Sequence, residues 1–312
     1  MRGTTAGPAK AARSAGASCM LAAFALGLTS GATPAPGAES SVTPSSPTTP
    51  NSPWGGIADL GGGGFRVTPT RIVLEGGTRS AELTLINTGS APATYRVSLA
   101  RMRMAVDGAI AEVTDVLPGE AFADSLLRFS PRQVELEPGA TQTVRIQVLR
   151  PAVLADGEYR SHLVFRELPE VPDQADRPPA RGVHIALQPV FGVAVPVIVR
   201  HGVTRAGVEL RDLELRKDGS GHGLRLALKM MRSGNRSVYG DLTVTQSEPG
   251  GRPRVVGRMR GLAVYAPNSM RTVEIPLQLD PEFKTWRGTL RVAYEEGVEA
   301  SELLAEAELA LE

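Results

Sequence analysis

The sequence predicts an all-β protein: two immunoglobulin-like β-sandwich domains that follow a signal peptide and a flexible linker. Two observations carry this. From Phe65 onward, short stretches of alternating apolar and polar residues recur roughly every fifteen to twenty positions, with turn chemistry between them and no helical period. Composition agrees, because 34 Gly and 24 Pro in 312 residues, together with many Val, Thr and Arg, favour strands and turns over helices. The length leaves room for two domains plus appendages.

Taken in order, residues 1–38 read as an export signal. Arg2, Lys10 and Arg13 form a positive region, and residues 20–28 (MLAAFALGL) form an apolar segment too short to cross a bilayer. Ser30-Gly31-Ala32 offers small residues for cleavage, and Ala38 offers a second position. The absence of an Arg-Arg pair favours general secretion over a twin-arginine route. Cys19, the single cysteine, precedes the apolar segment, the wrong order for a lipoprotein. A mature chain cleaved there has no disulfide, so its stability rests on core burial. Residues 39–64 are rich in Pro, Ser and Gly and carry too little apolar surface to offset ordering entropy, which makes them a linker. The glycines at 61–64 lack the Gly-Lys-Ser/Thr and helix of a phosphate loop.

The N-terminal β domain, 65–200, is expected to hold strands at 66–74, 80–87, 94–104, 126–129, 141–149, 159–167 and 183–199. Glu75-Gly76-Gly77, Asn87-Thr88-Gly89, Asp107-Gly108, Glu137-Pro138-Gly139 and Asp156-Gly157 supply the turns. Ala81, Leu83 and Leu85 face one way, and so do Val144, Ile146 and Val148, the mark of a sheet with one covered face. About seven alternating strands in about 130 residues is the pattern of an immunoglobulin-like sandwich. The C-terminal β domain, 201–312, continues with strands at 209–217, 223–231, 240–247, 255–265, 271–279, 288–294 and 303–311. The last, LLAEAELAL, has helical propensity, but its alternation and its place at the end of a β domain favour a strand.

Residues 183–199 (VHIALQPVFGVAVPVIV) stand out. Val183, Ile185 and Leu187 alternate with His184, Ala186 and Gln188, whereas 193–199 runs apolar without a break, as in a strand covered on both faces. Fully extended, the segment would reach roughly 55 Å at about 3.3 Å per residue, longer than a compact small domain needs. A long apolar strand left partly unpaired invites another chain.

The chemistry-bearing residues point away from catalysis. His162, His184, His201 and His222 are scattered without metal-ligand spacing, no Gly-x-Ser-x-Gly elbow exists, and the carboxylates read as single solvated positions in turns. No enzyme, no cofactor and no metal site is expected. A formal charge of +1 disfavours a dedicated nucleic-acid binder, and Trp54, Trp286, Tyr95, Tyr159 and Tyr239 are too separated for a stacking platform. No stretch after the signal is long and apolar enough for a membrane helix.

One family pattern covers about 135 residues. Phe65-Arg66-Val67-Thr68-Pro69-Thr70-Arg71-Ile72-Val73-Leu74-Glu75-Gly76 is followed by a strand ending Ile86-Asn87-Thr88-Gly89. Then come Phe129-Ser130-Pro131, Leu136-Glu137-Pro138-Gly139, residues 157–169 (GEYRSHLVFRELP) and Ile185-Ala186-Leu187-Gln188. In this order the blocks resemble the periplasmic pilus-assembly chaperones, the PapD-like family. More loosely, Arg232-Ser233-Gly234-Asn235 and residues 238–242 resemble that family's second domain.

The resemblance implies a periplasmic chaperone of two angled immunoglobulin-like domains that binds pilus-type subunits and supports their assembly, with an outer-membrane usher as a further partner. Such chaperones lend a strand to a subunit that lacks its own last strand, supplying backbone hydrogen bonds and apolar side chains. Val183, Ile185 and Leu187 match the donated side chains, each worth about 1.5–3 kcal/mol when fully buried. Read on their own, they could equally be this domain's core. The family also holds the subunit's terminal carboxylate with cleft cations, and Arg71 matches the first of these. The second, a lysine expected after Gln188, is missing: Pro189, Val190, Phe191 and Gly192 stand there. Arg200 and Arg66 are the candidate substitutes. The alternative is an exported two-domain β protein with a structural or adhesive role, self-associating through the exposed strand.

Overall fold

The computed structural model describes residues 64–169, 190–217, 223–278, 287–296 and 302–311. Within them the regular structure is all strand. The signal segment, the linker up to residue 63 and the residues Val183, Ile185 and Leu187 lie outside the described residues.

The first sandwich comprises β1 (Phe65–Thr68), β2 (Ile72–Leu74), β3 (Ser80–Asn87), β4 (Ala93–Ala100), β5 (Met102–Met104), β6 (Ile110–Glu112), β7 (Leu127–Ser130), β8 (Gln133–Leu136), β9 (Thr141–Val148), β10 (Gly157–Leu168) and β11 (Gly192–His201). One sheet orders β1-β3-β9-β7 and the other β2-β11-β10-β4-β8, while β5 and β6 form a separate hairpin. The inward residues of both sheets make one core, with Leu74, Leu83, Leu85, Val144, Ile146, Leu163, Phe165, Val195, Val197 and Val199 all buried.

Alternation explains most of these strands. In β9, Val144, Ile146 and Val148 point into the core while Arg145 and Gln147 point out. The turn after β3 is fixed by Asn87, fully buried: its Nδ2 donates to the carbonyls of Ala91 and Leu136, and its Oδ1 accepts from the Gly89 amide.

The structure divides two strands that the pattern reads as continuous. The expected strand 66–74 is two strands in different sheets, β1 antiparallel to β3 and β2 parallel to β11. Pro69 lies between them and has no amide proton for a ladder, so the chain changes sheets there. The expected strand 94–104 breaks at Arg101, where β4 leaves the sheet and β5 starts the hairpin. β6 and β8 escape the pattern because they are only three and four residues long, and only Leu136 of the two is buried.

The second sandwich comprises β12 (Ala206–Lys217), β13 (Leu224–Gly234), β14 (Val238–Ser247), β15 (Arg254–Val264), β16 (Met270–Leu277), β17 (Gly288–Glu296) and β18 (Glu302–Leu311). Its sheets order β12-β13-β16 and β15-β14-β17-β18 around a separate core that includes Leu226, Met230, Leu242, Val244, Ile275, Leu290 and Tyr294. β18 is a strand despite its helical propensity, because pairing with β17 lets alternate residues such as Leu309 pack on this core.

Candidate functional site

The site is the outward face of the β2-β11-β10 sheet where it meets the second sandwich. Strand geometry puts every second residue on that face, and register aligns them in rows. Glu158 of β10 lies opposite Arg200 of β11, Arg160 opposite Ile198, and His162 opposite Pro196. Ile198 in turn lies beside Val73 of β2. Arg71 sits one residue before β2 starts.

The rows differ in chemistry. At one end Arg200 bridges two carboxylates, its Nε donating to Glu158 Oε2 at 3.3 Å and its Nη1 to Glu75 Oε2 at 3.1 Å. The Glu158 carboxylate also accepts the Ser237 amide of the second sandwich at 3.1 Å and the Ser237 hydroxyl. The Ser237 Oγ accepts the Ala266 amide at 2.8 Å. Glu158 is therefore a buried, interdomain carboxylate, in contrast to the solvated turn position expected from sequence. Arg200 is committed to the same junction, which removes it as the substitute for the missing lysine. Arg66 is exposed on β1, in the opposite sheet.

The middle row is apolar. Val73 and Ile198 pack with Met104, Ile110, Tyr239, Ala263 and Tyr265 in a small cluster between the sandwiches. Beyond it the two tyrosines turn toward cations. The Arg71 guanidinium lies 4.5 Å from the Tyr239 ring centre and 5.8 Å from that of Tyr265, and the Arg160 guanidinium lies 4.1 Å from Tyr265. Each aromatic face attracts a cation through its quadrupole. Tyr239 is seated by Gly261, whose φ is +65°; a Cβ there would lie 2.9 Å from the tyrosine hydroxyl. His162 meets the edge of Tyr265 with ring centres 6.4 Å apart.

This cluster is under-satisfied. Arg71 Nη1, Arg160 Nε and Nη1, and His162 Nδ1 are buried without a hydrogen-bond partner among the described residues. Burial, followed by the charge of Arg160, pushes His162 down to about 3 from 6.5, so it is neutral at physiological pH. Burial also lowers the Arg160 pKa, the neighbouring Arg71 adding to the effect, while Tyr265 and Glu158 oppose it. The arrangement suits binding of a negative group rather than bond-making chemistry.

Sequence reasoning singled out Arg71 through the family resemblance and did not identify Arg160, His162, Tyr239 and Tyr265 as neighbours of it. A signal existed: Glu158, Arg160 and His162 stand at every second position of one strand, which places three polar side chains on one face.

β11 has a further property. β2 covers only Val197, Ile198 and Val199 of its free edge. From Gly192 to Pro196 that edge has no strand neighbour among the described residues. Pro196 brings no amide proton to a ladder, and the ladder with β2 begins at the next residue.

Residues 64–200 match the family model described as pili and flagellar-assembly chaperone, PapD N-terminal domain. Residues 64–200 are thus similar to the N-terminal domain of the PapD-like pilus-assembly chaperones. PapD-like chaperones are periplasmic and non-enzymatic. No curated protein matches the chain in sequence. Among solved structures it is similar to the Pseudomonas aeruginosa CupB2 chaperone, at 18% identity and TM-score 0.42 over 79% of this chain and 100% of that one. It is also similar to the CsuC–CsuE chaperone–tip adhesion subunit pre-assembly complex of Acinetobacter baumannii, at 14% and 0.42 over 78% and 97%. A third is the E. coli chaperone DraB, at 15% and 0.39 over 80% and 96%. The protein thus pairs a domain similar to the PapD N-terminal domain with a second β sandwich, and Arg71 lies where the two meet.

Proposed function

We propose that the protein is a non-enzymatic periplasmic chaperone that binds pilus-type subunits by donor-strand complementation, prevents their aggregation and passes them toward assembly through an outer-membrane usher. Val183, Ile185 and Leu187 enter the subunit's open groove, and Arg71 holds the subunit's terminal carboxylate. The observation that carries this reading is the edge of β11 from Gly192 to Pro196, uncovered among the described residues, which ends beside the half-buried Arg71, whose Nη1 is buried without a partner among those residues. Three features support it together: an edge that can accept backbone hydrogen bonds, apolar side chains upstream on the same segment, and a cation at the end. Residues 1–38 as a signal and 39–64 as a linker fit an exported chain with its working domains at 65–200 and 201–312.

The test is co-expression with exported subunits encoded by neighbouring genes. A one-to-one complex is expected, weakened by Arg71→Ala with little change in the chaperone's own melting temperature. Recovery of the protein only as monomer or homo-oligomer, with every such subunit equally stable without it, would overturn the reading.

A further inference from the structure

We infer that the turn between β5 and β6 is a strap: the first sandwich lays it along the outer edge of β16, in the place of a neighbouring strand, and so fixes the angle between the two sandwiches. Among the described residues, β16 is the border strand of its sheet, with β13 on its inner side. Successive amides of a strand point to opposite edges, so those at 272, 274 and 276 share one edge. The Thr272 amide donates to the Val106 carbonyl at 2.8 Å, away from β13, and the Thr272 hydroxyl donates to the same carbonyl at 3.3 Å. Farther along that edge Pro276 has no amide proton, and the Gln278 amide donates to the Val256 carbonyl of β15 at 2.7 Å. The outer edge of β16 is thus closed at one end by its own sandwich and at the other by the first. An open strand edge is a template for another chain, and here the first sandwich occupies it.

The strap is rooted in the first sandwich. β5 and β6 pair from Met102–Glu112 to Met104–Ile110, Arg103 binds Glu120 at 2.6 Å, and Glu112 of β6 accepts from Arg166 of β10 at 3.0 Å. The turn itself closes through the Gly108 amide on the Ala105 carbonyl at 2.9 Å and the Ala109 amide on Asp107 Oδ1 at 2.9 Å. Its tip is fitted to one side chain of the second sandwich. Gly108 has a φ of +89°, and any side chain there would collide with the Arg271 guanidinium. Arg271 Nη1 in turn donates to the Ala263 carbonyl of β15 at 2.6 Å. At the root of the turn, the Met104 carbonyl accepts from Asn268 Nδ2 at 2.7 Å, while Met104 and Ile110 pack in one cluster with Ile198, Ala263 and Tyr265. A single turn therefore engages β15, β16 and the loop joining them, and β6 ties it back to β10. These contacts hold the second sandwich in the orientation that brings Tyr239 and Tyr265 over the first. The strap acts within the chain itself, whatever the protein binds.

Two measurements on the purified protein, with no partner present, test the strap. Gly108→Val forces a branched side chain into that φ and against Arg271. In amide hydrogen exchange followed by NMR, it should speed exchange of the Thr272 amide roughly tenfold. The Val273 amide, on the β13 side of the same strand, should exchange as in the wild type. A Thr272 amide already unprotected in the wild type, or one unmoved by Gly108→Val, would overturn the inference. For the angle, nitroxide labels go on Arg145→Cys and Arg258→Cys, exposed positions in the first and second sandwich, with the single native cysteine removed by Cys19→Ser. Thr272→Pro with Asn268→Ala removes the donors that the second sandwich offers the strap, and Pro276 shows that this edge of β16 accepts a proline. The distance distribution between the labels should broaden in that variant. A distribution as narrow as the wild type's would mean that the Glu158–Ser237 junction alone sets the angle, and would sink the strap. Should Thr272→Pro lose the cooperative unfolding transition, Gly108→Val, which leaves β16 intact, serves for the same distance measurement with the same two outcomes.

Discussion

His162 is the side chain whose protonation this fold most opposes. In the unfolded chain it titrates near its ordinary value of about 6.5, whereas in the folded protein burial and the Arg160 charge hold it to about 3. The groups facing it are Arg160 on its own strand and Tyr265 from the second sandwich. Between these two pH values the unfolded state binds a proton that the folded state does not, so stability falls as pH drops from 6.5 toward 3. The loss from this residue alone should reach about 1 kcal/mol by pH 5.5. Thermal denaturation at pH 7.5 and 5.5 checks it: the wild type should lose more melting temperature across that interval than His162→Phe. Equal losses would show that His162 is not the source. Glu120 and Asp124, both held below the usual carboxylate range by hydrogen bonds from Arg103 and Arg101, add their losses only at lower pH. At this scale the sequence was readable in part. The turn role of Asn87 showed in Asn87-Thr88-Gly89, and Arg71 in its family position. Arg160 and His162 did not show, because a polar residue in a buried strand acquires its meaning from a second domain that local patterning cannot place.

Among the elements, β11 separates what patterning can and cannot see. Its inward side chains Val195, Val197 and Val199 are core, as an unbroken apolar run implies. Sequence alone shows neither that β2 stops after covering three of its residues nor that the first strand splits between two sheets, since both depend on partners distant in the chain. The second sandwich was more legible: β14 alternates buried and half-buried without exception over its ten residues, and such alternation is visible from local sequence. One prediction belongs here. Ile185→Asp combined with Leu187→Asp should abolish the one-to-one complex and leave the chaperone's melting temperature unchanged. A lost cooperative transition would instead place both side chains in the chaperone's own core, where two buried aspartates are not tolerated.

For the whole molecule, the two sandwiches are joined by polar bonds as much as by apolar packing. Besides the Glu158–Ser237 contact, the β5–β6 hairpin reaches the second sandwich, where Asn268 Nδ2 donates to the Met104 carbonyl at 2.7 Å and the Thr272 amide to the Val106 carbonyl at 2.8 Å. A junction built on a buried carboxylate is sensitive to the loss of one donor. Ser237→Ala removes a donor from Glu158 and the acceptor of the Ala266 amide. We expect it to cost about 2–3 kcal/mol, several degrees of melting temperature by calorimetry. An unchanged melting temperature would mean that water replaces the hydroxyl at no cost.

The short reach of β2 also sets a polarity. A guest strand laid along the free edge of β11 from Gly192 to Pro196 must stop where Arg71 and β2 begin. Running in the same direction as β11, it would bring its carboxyl end to the arginines. Running the other way, it would press an ammonium group against two guanidinium charges. Coulomb repulsion at such short range in a poorly hydrated cleft is worth several kcal/mol. If the edge takes a guest strand as proposed, the cations would act as a directional stop that admits a chain end of one sign and fixes how far it slides.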